Sequence, residues 1–186
     1  MIQKLTAFGQ SLMKTYLKPG MTVIDATIGN GYDALFIKSC IGESGKLIGF
    51  DIQSKAVETT HHRLQKEGFE NFVLYQTDHR HLDDFIKDDT IDAVVYNLGY
   101  LPSGDHHVTT LAKSTIESLK KALDCLKPGG MLFVTAYPGH ESGFEEALKV
   151  KDYLEALDSK RYHMMQCRYG NQPACAPMLF LTEKHF

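Results

Sequence analysis

The stretch Met21-Thr-Val-Ile-Asp25-Ala-Thr-Ile-Gly29-Asn-Gly31-Tyr-Asp33 decides the fold. Met21–Asp25 is a short apolar run ending on a carboxylate. Pro19-Gly20 breaks the chain before it and two glycines follow, which reads as a buried strand entering a tight loop. The helical stretch Tyr32–Cys40 comes next, so strand, glycine loop and helix form the first βα unit of an α/β sheet. Glycines let the backbone turn sharply and approach a ligand closely, and the helix start offers amides without intrahelical partners.

The alternation spreads outward from this unit. Upstream, residues 2–17 carry Leu5, Phe8, Leu12 and Tyr16 at helical spacing, which predicts an amphipathic first helix. Downstream, Leu47–Asp51 reads as a second strand, Ser54–Glu67 as a helix, Phe72–Gln76 as a third strand and Ile91–Asn97 as a fourth. Leu111–Leu126 has Ile116, Leu119 and Leu123 on one face and Lys113, Glu117 and Lys120 on the other, the pattern of a half-buried helix. Lys127-Pro128-Gly129-Gly130 is expected to stop it before a fifth strand, Met131–Thr135. Ser142 and Glu145 read as a capping box for a helix reaching about Asp158. The last two strands, Tyr162–Arg168 and Met178–Glu183, have no helix between them and are expected to pair antiparallel, since a parallel pair needs a crossover. The expected fold is an α/β, Rossmann-like sheet, mostly parallel, with helices on both faces. With no repeat or linker, residues 1–186 read as one domain. Ligands of such sheets sit outside the carboxyl ends of the strands, at the switch point in strand order.

Composition narrows the classes further. A chain of 186 residues is long enough to bury a core without disulfides, and 43% hydrophobic with 23% charged residues excludes a disordered chain. No apolar run approaches the ~20 residues that span a bilayer. The N-terminal MIQKLTAFGQSLMKTYL lacks the apolar block and small-residue site of a secretory signal, so a cytoplasmic location is expected. Cys40, Cys125, Cys167 and Cys175 show neither CxxC nor zinc-finger spacing, which agrees with a reducing compartment. A net charge of −3 does not draw nucleic acid to the whole surface, so RNA contact needs a local basic patch. Lys4, Lys14 and Lys18, or Lys113, Lys120, Lys121 and Lys127, are either such a strip or solvated helix faces.

Polar groups stand at four strand ends. Asp51, twenty residues after Gly31, can accept hydrogen bonds from both hydroxyls of a ribose. Asp78 follows the third strand, where an amine such as that of adenine can meet it, with His79 alongside. The fourth strand runs into Asn97-Leu-Gly-Tyr-Leu-Pro102. Each feature alone also occurs as a plain turn or cap; their joint order carries the reading. Gly29-Asn-Gly31-Tyr-Asp-Ala34 also satisfies the G-x-G-x-x-A of nicotinamide dehydrogenases. Against that reading, Asp25-Ala-Thr-Ile separates the strand from Gly29, and Asp25 and Asp33 bring negative charge towards a diphosphate. The terminal antiparallel pair also counts against it. S-adenosylmethionine (SAM) has no phosphate and carries a sulfonium and an ammonium, which carboxylates favour.

With these residues in view, the sequence resembles class I SAM-dependent methyltransferases along almost its whole length. The resemblance lies in Val23–Gly31, Gly49-Phe-Asp51, Asp78, Asn97–Pro102 and Leu126-Lys-Pro-Gly-Gly130. More narrowly it is similar to a small bacterial family first labelled rRNA methylases and now assigned as tRNA 5-aminomethyl-2-thiouridine methyltransferases. That likeness is carried by Asp25–Asp33, by Asn97–His106 with Thr109-Thr110, by Tyr137-Pro-Gly-His140 and by Asn171-Gln-Pro173. Tyr32 and Ala34 depart from the pattern, standing where His and Thr are expected, and Ser103 stands where Gly is expected.

The resemblance implies a seven-stranded sheet of order 3-2-1-4-5-7-6 with the seventh strand reversed. It implies SAM as cofactor, with Asp25, Thr27, Gly29, Asn30, Gly31, Asp33, Asp51, Gln53, Asp78, His79 and Asn97 as candidate cofactor-binding residues. It also implies N-methylation of an aminomethyl group at the wobble position of a tRNA anticodon loop. Asn97-Leu-Gly-Tyr100 resembles the Asn-Pro-Pro-Tyr loop of amino methyltransferases, with Leu-Gly in place of Pro-Pro. Asn97, Tyr100 and His106 are therefore the candidate catalytic residues. Asn97 would orient the amine hydrogens. Tyr100 either stacks on a base or shapes the rim, and His106 either takes the released proton or steadies its loop. No metal is expected: His61 and His62 are helix neighbours pointing about 100° apart. A homodimer is expected because a small domain gains RNA-binding area that way. An rRNA or small-metabolite methyltransferase, and a non-catalytic SAM- or nucleotide-binding protein, stay open as alternatives.

Overall fold

The computed structural model of the chain describes residues 2–88, 90–99, 111–139 and 141–186, with only the backbone at 141 and 142. Helix α1 (Leu5–Tyr16) precedes strand β1 (Thr22–Asp25), followed by α2 (Tyr32–Ile41), β2 (Lys46–Asp51), α3 (Ser54–Lys66) and β3 (Phe72–Gln76). A 3-10 helix (His79–Asp84) leads to β4 (Ile91–Leu98), α4 (Ala112–Cys125), β5 (Leu126–Ala136), α5 (Glu141–Glu155), β6 (Tyr162–Cys167) and β7 (Met178–Lys184).

The strands form one seven-stranded sheet in the order β3-β2-β1-β4-β5-β7-β6. The pairs β1–β2, β2–β3, β1–β4 and β4–β5 are parallel. Strand β7 enters between β5 and β6 and runs antiparallel to both, so it is the one reversed strand. The chain winds outward through β1, β2 and β3, then returns to lay β4 on the other side of β1. The switch point therefore lies between β1 and β4.

Alternation along the strands builds two cores. Ile24, Ile48 and Val94 join Leu119, Leu123, Val150 and Leu154 beneath α4 and α5. Val23, Leu47 and Ala93 point the other way, joining Leu5, Met13, Ile37 and Leu64 from α1, α2 and α3. Strands covered on both faces need mostly apolar sequence, which Val23-Ile24 and Ala93–Tyr96 supply at the centres of β1 and β4.

The local differences from expectation have physical causes. Lys127–Gly130 does not separate helix from strand: pairing begins at Leu126 opposite Ile91, and the register slips before Ala93 meets Met131. Gly129, at φ +77°, takes up the irregularity. Helix α5 starts at Glu141, so Ser142 lies inside its first turn and is not its N-cap, and the helix ends at Glu155. The face that α1 buries is Leu5, Gly9 and Met13, while Phe8 is 38% exposed. At Gly9 helix α1 faces Leu179 of β7, where an added β-carbon would lie 3.6 Å from that side chain, an ordinary contact distance. Among the described residues no helix is long and apolar enough to cross a membrane.

Candidate active site

The carboxyl ends of β1, β2, β4 and β5 open into a cavity of about 720 Å³ that spans the switch point. Its floor is the loop after β1. Ala26 N–H donates to Val95 O at 2.9 Å and Ile28 N–H donates to Phe50 O at 3.1 Å, which sews the loop to both neighbouring strands. Gly29 and Gly31 take left-handed φ values of +48° and +78°. A β-carbon at Gly31 would lie 2.7 Å from Thr60 Oγ1, so both conformation and space require glycine there. No side chain caps the start of α2, which leaves its first amides facing the loop.

Carboxylates gather around this floor. Asp51, at the end of β2, accepts the Gly29 N–H at 3.0 Å and the Gln53 N–H at 2.9 Å, one on each oxygen. Each oxygen keeps a further lone pair for a ligand hydroxyl. Burial raises the Asp51 pKa above the ordinary carboxylate value, and the backbone donors pull against that shift. Asp25 is wholly buried beneath the cavity. Burial, then the negative charge of Asp33, pushes its pKa up to about 8. Its Oδ1 accepts the Thr27 N–H at 3.2 Å, while Oδ2 has no hydrogen-bond partner among the described residues. Asp78 accepts the Arg80 N–H at 2.9 Å and pairs with Arg80 Nε at 3.2 Å. His79 is 8% exposed; burial lowers its pKa, which keeps the ring neutral, and the ring packs edge-on against Tyr96 at 5.7 Å.

The opposite wall holds Asn97, at the end of β4. Its N–H donates to Thr27 Oγ1 at 2.7 Å, and its Nδ2 donates to Asp33 Oδ2 at 2.7 Å. Gln10 Nε2 donates to the other oxygen of Asp33 at 2.8 Å. The structure thus brings Thr27, Asp33 and Asn97 together and adds Gln10 from α1, which sequence reasoning missed. Tyr137, just after β5, also lines the cavity. Burial, then the charge of Asp33, pushes its hydroxyl up to about 12, so it stays a neutral phenol. At the mouth, Tyr32 is 65% exposed with the Arg63 guanidinium 4.1 Å from its ring centre, and Arg63 Nε donates to Asn30 O at 2.9 Å.

Asp33, Asp51 and Asp78 line the cavity, and among its described lining residues there is no Lys or Arg. A diphosphate entering here would meet the charge of Asp33 and Asp51 with no Lys or Arg in the described lining to offset it, whereas a cationic ligand bearing ribose hydroxyls is matched on both counts. Tyr100 and His106 lie outside the described residues. His61 and His62 sit 6.1 Å apart with rings nearly perpendicular, and no group of three metal-ligating side chains forms among the described residues.

Comparisons with known proteins agree with this geometry. The family profile described as "Putative rRNA methylase" matches residues 47–183, and that of protein-L-isoaspartate(D-aspartate) O-methyltransferase matches residues 3–82. The chain is 29% identical, over 98% of its own length and 70% of the relative's, to the chloroplastic tRNA (mnm(5)s(2)U34)-methyltransferase of Arabidopsis thaliana. It superposes with a TM-score of 0.95, at 38% identity and 99% coverage of both chains, on a structure described as a putative rRNA-methylase from Clostridium thermocellum. It also superposes with a TM-score of 0.88, at 30% identity and 99% coverage of both, on SMU.1697c of Streptococcus mutans, described as a putative methyltransferase and solved in complex with S-adenosylhomocysteine (SAH). The chain belongs to the rRNA methylase family and has the fold of SAM-dependent methyltransferases.

Proposed function

We propose that the protein is a SAM-dependent tRNA methyltransferase that N-methylates the aminomethyl group of 5-aminomethyl-2-thiouridine at the wobble position. The observation that carries the reading is the acid-lined cavity without Lys or Arg among its described lining residues, in a chain similar to an enzyme of that specificity. The residues fit the cofactor. Asp51 has lone pairs for two ribose hydroxyls, and the uncompensated charge of Asp33 and Asp51, with the unpartnered Asp25 oxygen below them, suits an ammonium and a sulfonium. Gly29, Asn30 and Gly31 bring backbone close to the ligand. Thr27 and Gln53 brace the loop through Asn97 and Asp51, and Asp78 with His79 takes the adenine end.

SAM supplies a methyl group made electrophilic by the sulfonium. The protein contributes alignment and a dry wall rather than a strong base, and positioning is worth up to ~7–11 kcal/mol in ideal cases. A primary amine attacks through its lone pair, so it must be neutral when it arrives. Asn97 Oδ1 accepts one amine hydrogen. Tyr100 is assigned to stacking on the base and His106 to receiving the released proton. The reading extends to a cytoplasmic enzyme of one domain, 1–186, whose homodimer would widen the RNA-binding face.

The test is incubation of the pure protein with labelled SAM and, separately, tRNA that carries the unmethylated 5-aminomethyl-2-thiouridine, rRNA and a metabolite extract, followed by nucleoside mass spectrometry. Methylated wobble nucleoside from tRNA alone is the expected result. Label in rRNA or in the extract, with tRNA unchanged, overturns it.

A further inference from the structure

Asp33 stands in the first turn of α2, and both its oxygens are taken by side-chain amides, Gln10 Nε2 at 2.8 Å and Asn97 Nδ2 at 2.7 Å. A carboxylate only accepts hydrogen bonds, so each amide must turn its NH₂ towards it. The reversed amide would set Asn97 Oδ1 against a like-charged oxygen. The main chain of Asn97 is held as well, its N–H bonded to Thr27 Oγ1 at 2.7 Å. The side chain of a cavity-lining residue is thus left with Oδ1 as its acceptor and little freedom to rotate. Three segments far apart in sequence (α1, the start of α2 and the end of β4) converge to set one amide.

We infer that Asp33 is a positioning residue that, backed by Gln10, holds Asn97 with Oδ1 turned to accept a hydrogen from the acceptor amine. The inference rests on the proposed N-methyl transfer and adds a basis for acceptor choice. An acceptor bearing N–H is oriented through Oδ1 so that its lone pair lies along the reacting line; an ether oxygen or a thiolate has no hydrogen to offer. In the transfer, the nitrogen lone pair forms the new N–C bond while the C–S pair leaves with sulfur. The resulting ammonium then releases its proton, the step assigned to His106. Asn97 takes no proton at any point, and Asp33 acts on the acceptor amine only through Asn97.

The test is a double-mutant cycle with a spectroscopic readout. Asp33→Asn lowers kcat by about 30- to 100-fold, the scale of a misplaced reacting group, while the SAH Kd by calorimetry weakens by less than about tenfold, the loss of one carboxylate charge near the ligand ammonium. Asn97→Ala lowers kcat at least as far. The double variant is no slower than Asn97→Ala alone, because coupled residues are not additive. In ¹⁵N-labelled protein the Asn97 side-chain amide protons exchange slowly in the wild type and lose that protection in Asp33→Asn. Losses that multiply in the double variant, or an SAH Kd that weakens in step with kcat, overturn the inference, as does an Asn97 amide signal indifferent to Asp33→Asn. A wild type inert towards tRNA ends the proposed function instead, and the amide signal still decides the Asp33–Asn97 link.

Discussion

At the amino edge of the sheet, Asp92 Oδ2 accepts the Thr22 N–H at 2.7 Å and Oδ1 pairs with Lys127 Nζ at 2.8 Å. Close by, the buried Lys38 donates through Nζ to the carbonyls of Gly42, Gly45 and Asn71 at 2.8–3.2 Å. Lys184 Nζ reaches Asp124 O at 3.1 Å at the same end. The carboxyl edge is built on the opposite rule. Asp25, Asp33 and Asp51 crowd one cavity floor and accept only from neutral amides and backbone N–H groups, and the charges of Asp33 and Asp51 add to burial in raising the cost of ionising Asp25. One edge closes its charges internally and serves stability. The other keeps negative charge on Asp33 and Asp51 that no Lys or Arg of the described cavity lining offsets.

Substitutions at the two edges should therefore separate binding from stability. The largest effect is expected from Asp51→Ala, which removes the acceptor for ligand hydroxyls and the anchor of Gly29 and Gln53. SAH affinity by calorimetry falls by about 100-fold or more, at roughly 1.5–3 kcal/mol per hydrogen bond to a charged group. An affinity within a few fold of wild type would break the comparison. Lys38→Met follows. It strands three carbonyls at the amino edge and lowers unfolding stability by about 3 kcal/mol in urea, with SAH affinity of the folded fraction unchanged.

Asp25→Asn is expected to act in the other direction. The folded-state pKa of Asp25, about 8, lies above its unfolded value, so the folded protein binds the extra proton. Its contribution is full below the ordinary carboxylate pKa and is lost as pH rises through about 8. Wild-type Tm should therefore fall between pH 5 and 8.5, and Asp25→Asn should flatten that slope and sit higher at pH 8.5 by roughly 2–4 °C for each kcal/mol recovered. A Tm below wild type at pH 8.5 would show that the buried carboxylate is satisfied after all. The smallest effect belongs to Lys127→Ala, whose partly exposed pair with Asp92 is worth about 0.5 kcal/mol and fades with salt.

Much of the β1–β2 half of the cavity was legible in one dimension. Strand β1, its glycines and the start of α2 are neighbours in sequence, and Asp51 follows from the βαβ repeat that returns the chain beside β1. The β4 half was only partly so. Asn97 is visible at its strand end, but Asp33, placed with the cofactor by its motif, turns out to be bonded to Asn97 64 residues away. Gln10 gave no signal at all, because it is a polar residue beside an apolar stripe of which Leu5, Leu12 and Tyr16 do pack on the core and only Phe8 stays exposed. Glycine carries no apolar weight, so Gly9 is buried without having marked that stripe.

Hydrophobic period, breakers and strand-end carboxylates thus determined the α/β class, most element positions and the acidic character of the site, since those signals are local and follow from how a chain buries its apolar groups. Tertiary structure alone decided which carboxylate is left without a partner, which amide faces which oxygen, and how closely α1 approaches β7. Such contacts depend on the packing of elements distant in sequence, where small shifts decide whether two polar groups come within hydrogen-bond distance.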